Sequence, residues 1–383
     1  MSTTQSKSKN KSKKVMIGMS GGVDSSVAAC LLLEAGYDVE GLFMKNWDED
    51  DGTEYCTAIA DLEDAKSVCA FLGIPLHTAN FSAEYWDHVF EEFLAEYRQG
   101  RTPNPDVLCN REIKFKQFAD YAQLLGADFI ATGHYVRIRR EETNTPEILK
   151  ALDINKDQTY FLQAVPVHAF RNCLFPLGEW QKKEVRDYAR VKGLHNHGRK
   201  DSTGICFIGE RRFDDFLNRY IPRTDGQTTD PQGRRLAGHS GLHNFTIGQR
   251  QGLAIGGRTG REERPWYVAD KQPALNRLIA TQDQSRLSSK WLHAQSPNWL
   301  VATTLPLRCT AKIRYRQDDQ SCKVSQAANG YLLVQFDQPQ RAVAPGQFIA
   351  FYNGDIMLGG ARIEQRDLRA IDGIGQQTED FTV

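Results

Sequence analysis

A glycine–serine loop and two cysteine segments hold the residues best suited to chemistry. The loop is Ser20-Gly21-Gly22-Val23-Asp24-Ser25-Ser26. It follows the apolar run Val15–Met19 and opens a helical pattern over Ser25–Ala35. Glycine here lets backbone approach phosphate oxygens, because no Cβ intervenes. The free N–H groups of a helix start, with the dipole behind them, favour an anion. Ser20, Ser25 and Ser26 add hydroxyl donors. Asp24 suits a magnesium ion, which prefers a carboxylate combined with substrate phosphates. A tight β–α turn also uses Gly and Ser, but the whole string between a strand and a helix favours nucleotide binding. The loop lacks the Gly-Lys-Ser/Thr ending of a P-loop and is not the G-x-G-x-x-G of dinucleotide sites.

The first cysteine segment runs Thr102-Pro103-Asn104-Pro105-Asp106-Val107-Leu108-Cys109-Asn110-Arg111. Its two prolines impose an extended approach to a helix. Asp106 is expected to cap that helix, with Cys109 in the first turn, where the positive dipole end favours a thiolate. Arg111 and Lys114 act in the same direction. Asp106, three residues before Cys109, can share its helix face and serve as acid or base. The plainer reading is a core cysteine beside Leu108 and a simple cap, and the residues alone leave both open.

The second segment is Asp201-Ser202-Thr203-Gly204-Ile205-Cys206-Phe207-Ile208-Gly209-Glu210. Glycines bracket Cys206, and Arg199, Lys200, Arg211 and Arg212 flank it, so the thiol can be reachable and acidic. Ile205, Phe207 and Ile208 argue equally for a buried strand cysteine. The other six cysteines are Cys30, Cys56, Cys69, Cys173, Cys309 and Cys322, and no pair is spaced C-x-x-C, which argues against a zinc ribbon. Cys30, Cys69 and Cys173 lie in apolar patterns and read as core. Cys56 sits beside the acidic stretch Trp47–Glu54, which reads as a solvated loop.

The elements that must position these groups alternate β and α through the first half. Strands are expected at Val39–Lys45, Ile74–Asn80 and Phe129–Thr132, and helices at Asp61–Leu72, Ala83–Tyr97 and Glu112–Leu125. That alternation predicts an α/β fold, a doubly wound parallel sheet with ligands at the C-terminal strand ends. Residues 15–210 would form this domain, after a disordered Ser/Lys tail at 1–14. Turn-rich sequence marks a small central domain at 211–290. Short alternating strands from Leu292 onward, including Arg308–Arg316, predict a C-terminal β-barrel at 291–383. In Lys312–Arg316 the alternation would place Lys312, Arg314 and Arg316 on one face.

With 383 residues there is material for two or three domains. Lys+Arg and Asp+Glu are equal at 48 each, so an RNA site must be a local patch and not a global field. No apolar run approaches the roughly 18 residues that span a bilayer. The N-terminus lacks the apolar core of a secretory signal. A cytoplasmic, reducing setting with free thiols is therefore expected.

The Ser20–Ser26 string resembles the pyrophosphatase loop of the N-type ATP pyrophosphatases, which implies cleavage of ATP between the α and β phosphates. Together with the Asn-Pro-Asp-x-x-Cys-Asn and Gly-Ile-Cys-Phe-Ile-Gly segments, it is similar to the tRNA-specific 2-thiouridylases over nearly the whole chain. That resemblance implies an adenine nucleotide alpha hydrolase-like fold, ATP and Mg2+ as cofactors, and tRNA as substrate. It implies a persulfide on Cys206 that attacks the adenylylated uridine, with Cys109 resolving it and Asp106 as acid/base. Gly18, Met19, Ser20, Gly21, Gly22, Val23, Asp24, Ser25, Met44 and Gly133 would bind ATP. Asn104, Pro105 and Asp106 would meet the target base. His134, Lys156, Asp157, Gln158, Arg314, Tyr315 and Gln347 would contact tRNA. The implied partners are the anticodon arms of tRNAs for Lys, Glu and Gln, and a persulfide-carrying relay protein or cysteine desulfurase.

The chemistry explains the parts. The uracil C2 oxygen leaves poorly until adenylylation turns it into AMP. A plain thiolate would stay bonded to carbon, whereas a persulfide leaves its terminal sulfur behind when a second thiol breaks the S–S bond. An anticodon base is already single-stranded, so extrusion costs less. Three other readings use the same residues: an adenylylating ligase or amidotransferase, which needs neither cysteine; a non-catalytic RNA-binding module; and an iron–sulfur site at Cys109, Cys206 and Asp106.

Overall fold

Val15, Met16 and Ile17 have no exposed surface, as expected of a strand covered on both faces. The structure, a computed structural model, describes residues 12–48, 58–140, 145–200, 213–256 and 264–367. The Ser/Lys tail up to residue 11, Cys56, Arg211, Arg212 and the whole Asp201–Glu210 segment with Cys206 lie outside the described residues.

In chain order the first elements are β1 (Lys14–Gly18), α1 (Val23–Glu34), β2 (Asp38–Lys45), α2 (Ala58–Leu72), β3 (Leu76–Asn80) and α3 (Ser82–Tyr85). A π-helical turn over Trp86–Phe90 leads into α4 (Glu91–Arg98), so the helix expected at Ala83–Tyr97 is there but widened in its first half. Next come α5 (Pro105–Cys109), a second π-helical stretch at Asn110–Gln117, α6 (Phe118–Leu124) and β4 (Phe129–Ala131). The hairpin β5 (Val136–Arg140) and β6 (Pro146–Lys150), then β7 (Cys173–Leu174) and α7 (Lys182–Val191), complete the first half.

The chain divides into two compact units. One comprises Met1–Tyr85, Asn110–Thr159 and Val165–Gly209, and the other Trp86–Cys109, Tyr160–Ala164 and Glu210–Val383. In the first unit, five strands run in the order β3-β2-β1-β4-β7, all parallel. From β1 the chain passes to β2 on one side and later returns to β4 on the other. The strand order therefore reverses between β1 and β4, and open α/β sheets bind ligands beyond the C-terminal strand ends at such a point. The phosphate loop leaves β1 there, and Gly133 leaves β4 beside it. Val27, Ala28, Ala29, Val39, Ala65 and Val68 are among the buried residues that pack the helices onto the sheet. The α/β fold with a parallel sheet is as the sequence indicated.

The second unit holds α8 (Phe213–Tyr220), packed by Phe216 and Tyr220 against Phe90 of the first π turn. A four-stranded sheet follows: β8 (Gly226–Thr229), β9 (Arg235–His239), β10 (Tyr267–Gln272) and β11 (Arg277–Thr281), in the order β10-β11-β8-β9. Six antiparallel strands then close a barrel. They are β12 (Ser288–Trp299), β13 (Leu307–Lys312), β14 (Gln320–Gln326), β15 (Leu332–Arg341), β16 (Phe348–Asn353) and β17 (Ile356–Arg366). Their order is β12-β15-β14-β13-β16-β17, and β12 pairs again with β17 to remove the open edges.

Two local expectations need correction. Asp106 does not cap its helix: Asn104 Oδ1 accepts from the Val107 N–H at 3.4 Å, and Pro105 takes the first helical position, where its missing N–H costs nothing. Cys109 is therefore the fifth residue of the helix, past its first turn. The strand expected at Arg308–Arg316 ends at Lys312. Ile313 is buried and its N–H is taken by Gln317 Oε1 at 2.8 Å, which turns the chain, and Arg316 adopts a positive φ of 60°. Lys312, buried and 3.6 Å from Asp319, does not share a basic face with Arg314 and Arg316.

Candidate active site

The phosphate loop is built by its own hydroxyls. Ser25 Oγ donates to the Gly22 carbonyl at 3.1 Å and Ser26 Oγ to the same oxygen at 2.9 Å. Ser20 N–H donates to Ser25 Oγ at 3.3 Å. Gly22, extended at φ −80° and ψ 163°, has no side chain to cap α1, so the N–H groups of the helix start are left for a ligand. Gly21 sits at φ +74°, and a Cβ there would lie 2.5 Å from the Asp61 carbonyl oxygen. At Gly133 a Cβ would lie 2.9 Å from the Ser25 nitrogen, so the end of β4 rests directly on the start of α1. Met44 of β2 reaches the same place, with its Cε 3.5 Å from where a Gly18 Cβ would stand. Gly21→Ala therefore meets both a disfavoured φ and a backbone clash, costing about 1–3 kcal/mol of stability. It should raise the KM for ATP about tenfold or more, one decade being about 1.4 kcal/mol. Denaturant unfolding and initial rates check both, and an unchanged KM would remove Gly21 from the nucleotide site.

Lys182, Tyr135, Asn196 and Arg199, none of them tied to the loop by sequence spacing, hydrogen-bond to it. Lys182 Nζ donates to Asp24 Oδ1 at 2.7 Å and to Oδ2 at 2.8 Å. Tyr135 Oη donates to Asp24 Oδ1 at 2.8 Å. Asn196 Nδ2 donates to the Gly21 carbonyl at 2.8 Å and lies 2.9 Å from Ser26 Oγ. Arg199 reaches the Gly21 carbonyl at 3.3 Å and pairs with Asp61 and Asp64. Lys182 is placed by the start of α7, where its N–H donates to Asp153 Oδ2 at 2.9 Å and Glu184 takes the Gln181 N–H at 2.8 Å. Positive charge thus stands at a loop built for an anion. Asp24 has both oxygens engaged, so it does not fit as a free magnesium ligand. Among the described residues no cluster of three or more His, Cys, Asp and Glu could hold a metal ion.

His134 is buried, with Nδ1 2.8 Å from Thr132 Oγ1 and its ring against Phe115 and Phe175. Burial, aided by nearby Lys114, holds it well below the ordinary histidine pKa, so it is neutral at pH 7. The unfolded chain takes up this proton near pH 6.5, the folded one only at lower pH, so the contribution is intact above about 6.5 and lost as pH falls. Resistance to urea should weaken from pH 7 to 5, and less steeply in His134→Gln; an equal slope would place the proton uptake elsewhere. In the adjoining loop, Asp157 is buried, its carboxylate accepting from the Ala151 N–H at 3.2 Å and from Thr159 Oγ1 at 2.9 and 3.0 Å. Gln158 Oε1 accepts the Tyr135 N–H at 2.9 Å. Asp157 and Gln158 therefore shape the loop, and Lys156 is its partly exposed cation.

In the second unit the cysteine segment meets the barrel. Gln347 Nε2 donates to the Thr102 and Pro103 carbonyls at 3.0 Å each, and Asn104 Nδ2 donates to Gln347 Oε1 at 3.4 Å. Residues some 243 positions apart are thus brought together. Buried Tyr160 ties in the same corner, donating to the Phe348 carbonyl at 3.0 Å. Phe161 packs its ring 4.6 Å from that of Tyr315, and Arg314 hydrogen-bonds the Arg341 carbonyl. Asp106 is half-buried, and Cys109 has no exposed surface. Burial pushes the thiols of Cys30 and Cys69 up to about 11 and that of Cys173 up to about 12, which makes them structural and inert.

Three family models match in succession: a tRNA methyl transferase HUP domain over residues 13–210, a tRNA methyl transferase PRC-barrel domain over 214–282 and an aminomethyltransferase beta-barrel domain over 289–363. Fold and site together define a nucleotide-binding α/β domain followed by two β modules. The tRNA-specific 2-thiouridylase MnmA of Alcanivorax borkumensis is 58% identical over 356 residues, covering 92% of this chain and 97% of its own length. That of Pseudomonas aeruginosa is 59% identical, covering 92% and 94%. The chain belongs to the tRNA-specific 2-thiouridylase family. A solved complex of a 4-thiouridine synthetase with RNA and ATP is 17% identical at a TM-score of 0.34, covering 55% of this chain and 50% of that one, a likeness too distant to add to this.

Proposed function

We propose that this protein is an ATP-dependent tRNA uridine 2-sulfurtransferase acting on the wobble uridine. The observation that carries the proposal is an intact phosphate loop at the switch point of the sheet, in a chain 58–59% identical to tRNA-specific 2-thiouridylases. ATP lies along Ser20–Ser25 and adenylylates the C2 oxygen. The loop N–H groups, Lys182 and Arg199 offset charge on the departing pyrophosphate. Magnesium would supply charge neutralisation at the nucleotide's phosphates. Asp24 shares both oxygens with Lys182 and serves the loop through that ion pair.

The Cys206 persulfide attacks C2 and AMP leaves, forming a C2–S–S–Cys206 adduct. The Cys109 thiolate then attacks Cys206 Sγ, releasing 2-thiouridine and leaving a Cys109–Cys206 disulfide for an external thiol to reduce. Asp106, on the same helix as Cys109, handles the proton at the base. Asn104 and Pro105 hold the base. Lys156, Arg314, Tyr315 and Gln347 carry RNA contacts, while His134, Asp157 and Gln158 support the surfaces that present them. The substrates are tRNAs for Lys, Glu and Gln, and a persulfide-carrying relay protein or cysteine desulfurase charges Cys206. A reducing cytoplasm suits this cycle. No helix among the described residues is long and apolar enough to cross a membrane. The test is pyrophosphate release, which unmodified tRNA should stimulate with AMP as co-product. Release of ADP and phosphate instead would refute the adenylylation.

A further inference from the structure

Two cysteines that this reaction does not use stand side by side on adjacent strands of the barrel. Cys309 of β13 and Cys322 of β14 are direct register partners, and their sulfurs lie 3.8 Å apart. Directly opposed residues in antiparallel strands have Cα atoms about 4.5–5.5 Å apart, inside the range that a disulfide spans. Both cysteines are free thiols. Their surroundings differ: Cys322 has no exposed surface and packs with Val324 and Phe336 in the barrel core, while Cys309 is partly exposed. We infer that Cys309 and Cys322 form an oxidisable dithiol that reacts with a low-molecular-weight disulfide, Cys309 as the attacking sulfur and Cys322 as the resolving one. This goes beyond the thiolation reaction and does not depend on it.

The contact between the two sulfurs lowers the Cys309 pKa below the ordinary thiol value, whereas the same contact, together with burial, raises that of Cys322. The Cys309 thiolate attacks one sulfur of the small disulfide and its S–S bond breaks. The departing thiolate takes the Cys322 proton, and the Cys322 sulfur attacks Cys309 Sγ and expels a second thiolate, which is protonated by water. The protein dithiol loses two electrons and the small disulfide becomes two thiols. The cross-link ties the two arms of the hairpin whose turn carries Arg314 and Tyr315.

Oxidised glutathione is the probe. The full-length protein, reduced and freed of reductant, is incubated with it, its remaining thiols are alkylated, and its peptides are mapped by mass spectrometry. The expected product is a disulfide-linked peptide pair joining Cys309 and Cys322. Cys322→Ala should instead trap one glutathione on Cys309, and Cys309→Ala should leave Cys322 unmodified. Recovery of both residues as alkylated free thiols in the wild-type protein would overturn the proposal. So would separate glutathione adducts on each, or modification of Cys322 in Cys309→Ala.

Discussion

Replacing Cys109 by alanine should stop turnover yet leave tRNA attached to the enzyme. The persulfide attacks C2 whether or not Cys109 is present, because that step needs only Cys206 and an adenylylated base. Without a second thiol the C2–S–S–Cys206 adduct has no route forward. Covalent tRNA–protein complex should accumulate to about one equivalent per charged enzyme and be released as 2-thiouridine-containing tRNA by dithiothreitol. Steady-state thiolation should fall on the order of 10³-fold or more, as when a group that acts within a catalytic unit is removed. Cys206→Ala should be equally inactive but trap nothing. Gel electrophoresis with and without reductant separates the two. Adduct formation by Cys206→Ala, or normal turnover by Cys109→Ala, would reverse or remove these roles. Cys109 is fully buried, so it should also resist alkylation in the substrate-free protein.

Lys182→Met should produce the second large effect. Its ammonium, only 11% exposed at the side chain, neutralises Asp24 through both carboxylate oxygens at the mouth of an anion-binding loop. Removing it leaves the carboxylate facing the incoming phosphates. The kcat/KM for ATP should fall about 10²–10³-fold, the range seen when a preorganised electrostatic donor is lost. Stability should drop by about 1–3 kcal/mol, since Asp24 loses its counter-charge and keeps the neutral Tyr135 hydroxyl as a donor. Lys182→Arg should recover part of the activity, and Asp24→Asn in the Lys182→Met background should recover stability more than rate. Binding of tRNA in the absence of ATP should be unchanged. A variant with normal ATP kinetics would make Lys182 a structural tether only.

Much of this was legible in the chain because local periodicity and punctuation carry it. The strand at Val39–Lys45 and the helix at Asp61–Leu72 fall within three residues of those observed. Gly and Ser at the β1–α1 turn point to a loop held in shape by its own hydroxyls. The failures have local causes too. Alternation ran on through Ile313 and Tyr315, but a side-chain bond from Gln317 turns the chain there. Asn104 outcompeted Asp106 for the helix cap because Pro105 takes the first helical position. Lys182 and Asn196 could not be found from sequence: they stand 158 and 170 residues or more from the groups they hold, and no spacing rule reaches across a parallel sheet. The pairing of Gln347 with Asn104 is equally non-local, and here only family resemblance pointed to either residue.

Sulfur insertion into tRNA is read by nucleoside mass spectrometry. The protein is purified anaerobically, charged by a persulfide donor, and incubated with unmodified tRNA, ATP and magnesium before the tRNA is digested. The expected product is 2-thiouridine in amounts matching the AMP formed, and none that is released without reductant in Cys109→Ala or Cys206→Ala. AMP formed while the tRNA gains no sulfur, with neither cysteine variant altering the outcome, would contradict it and point to a different adenylylated acceptor.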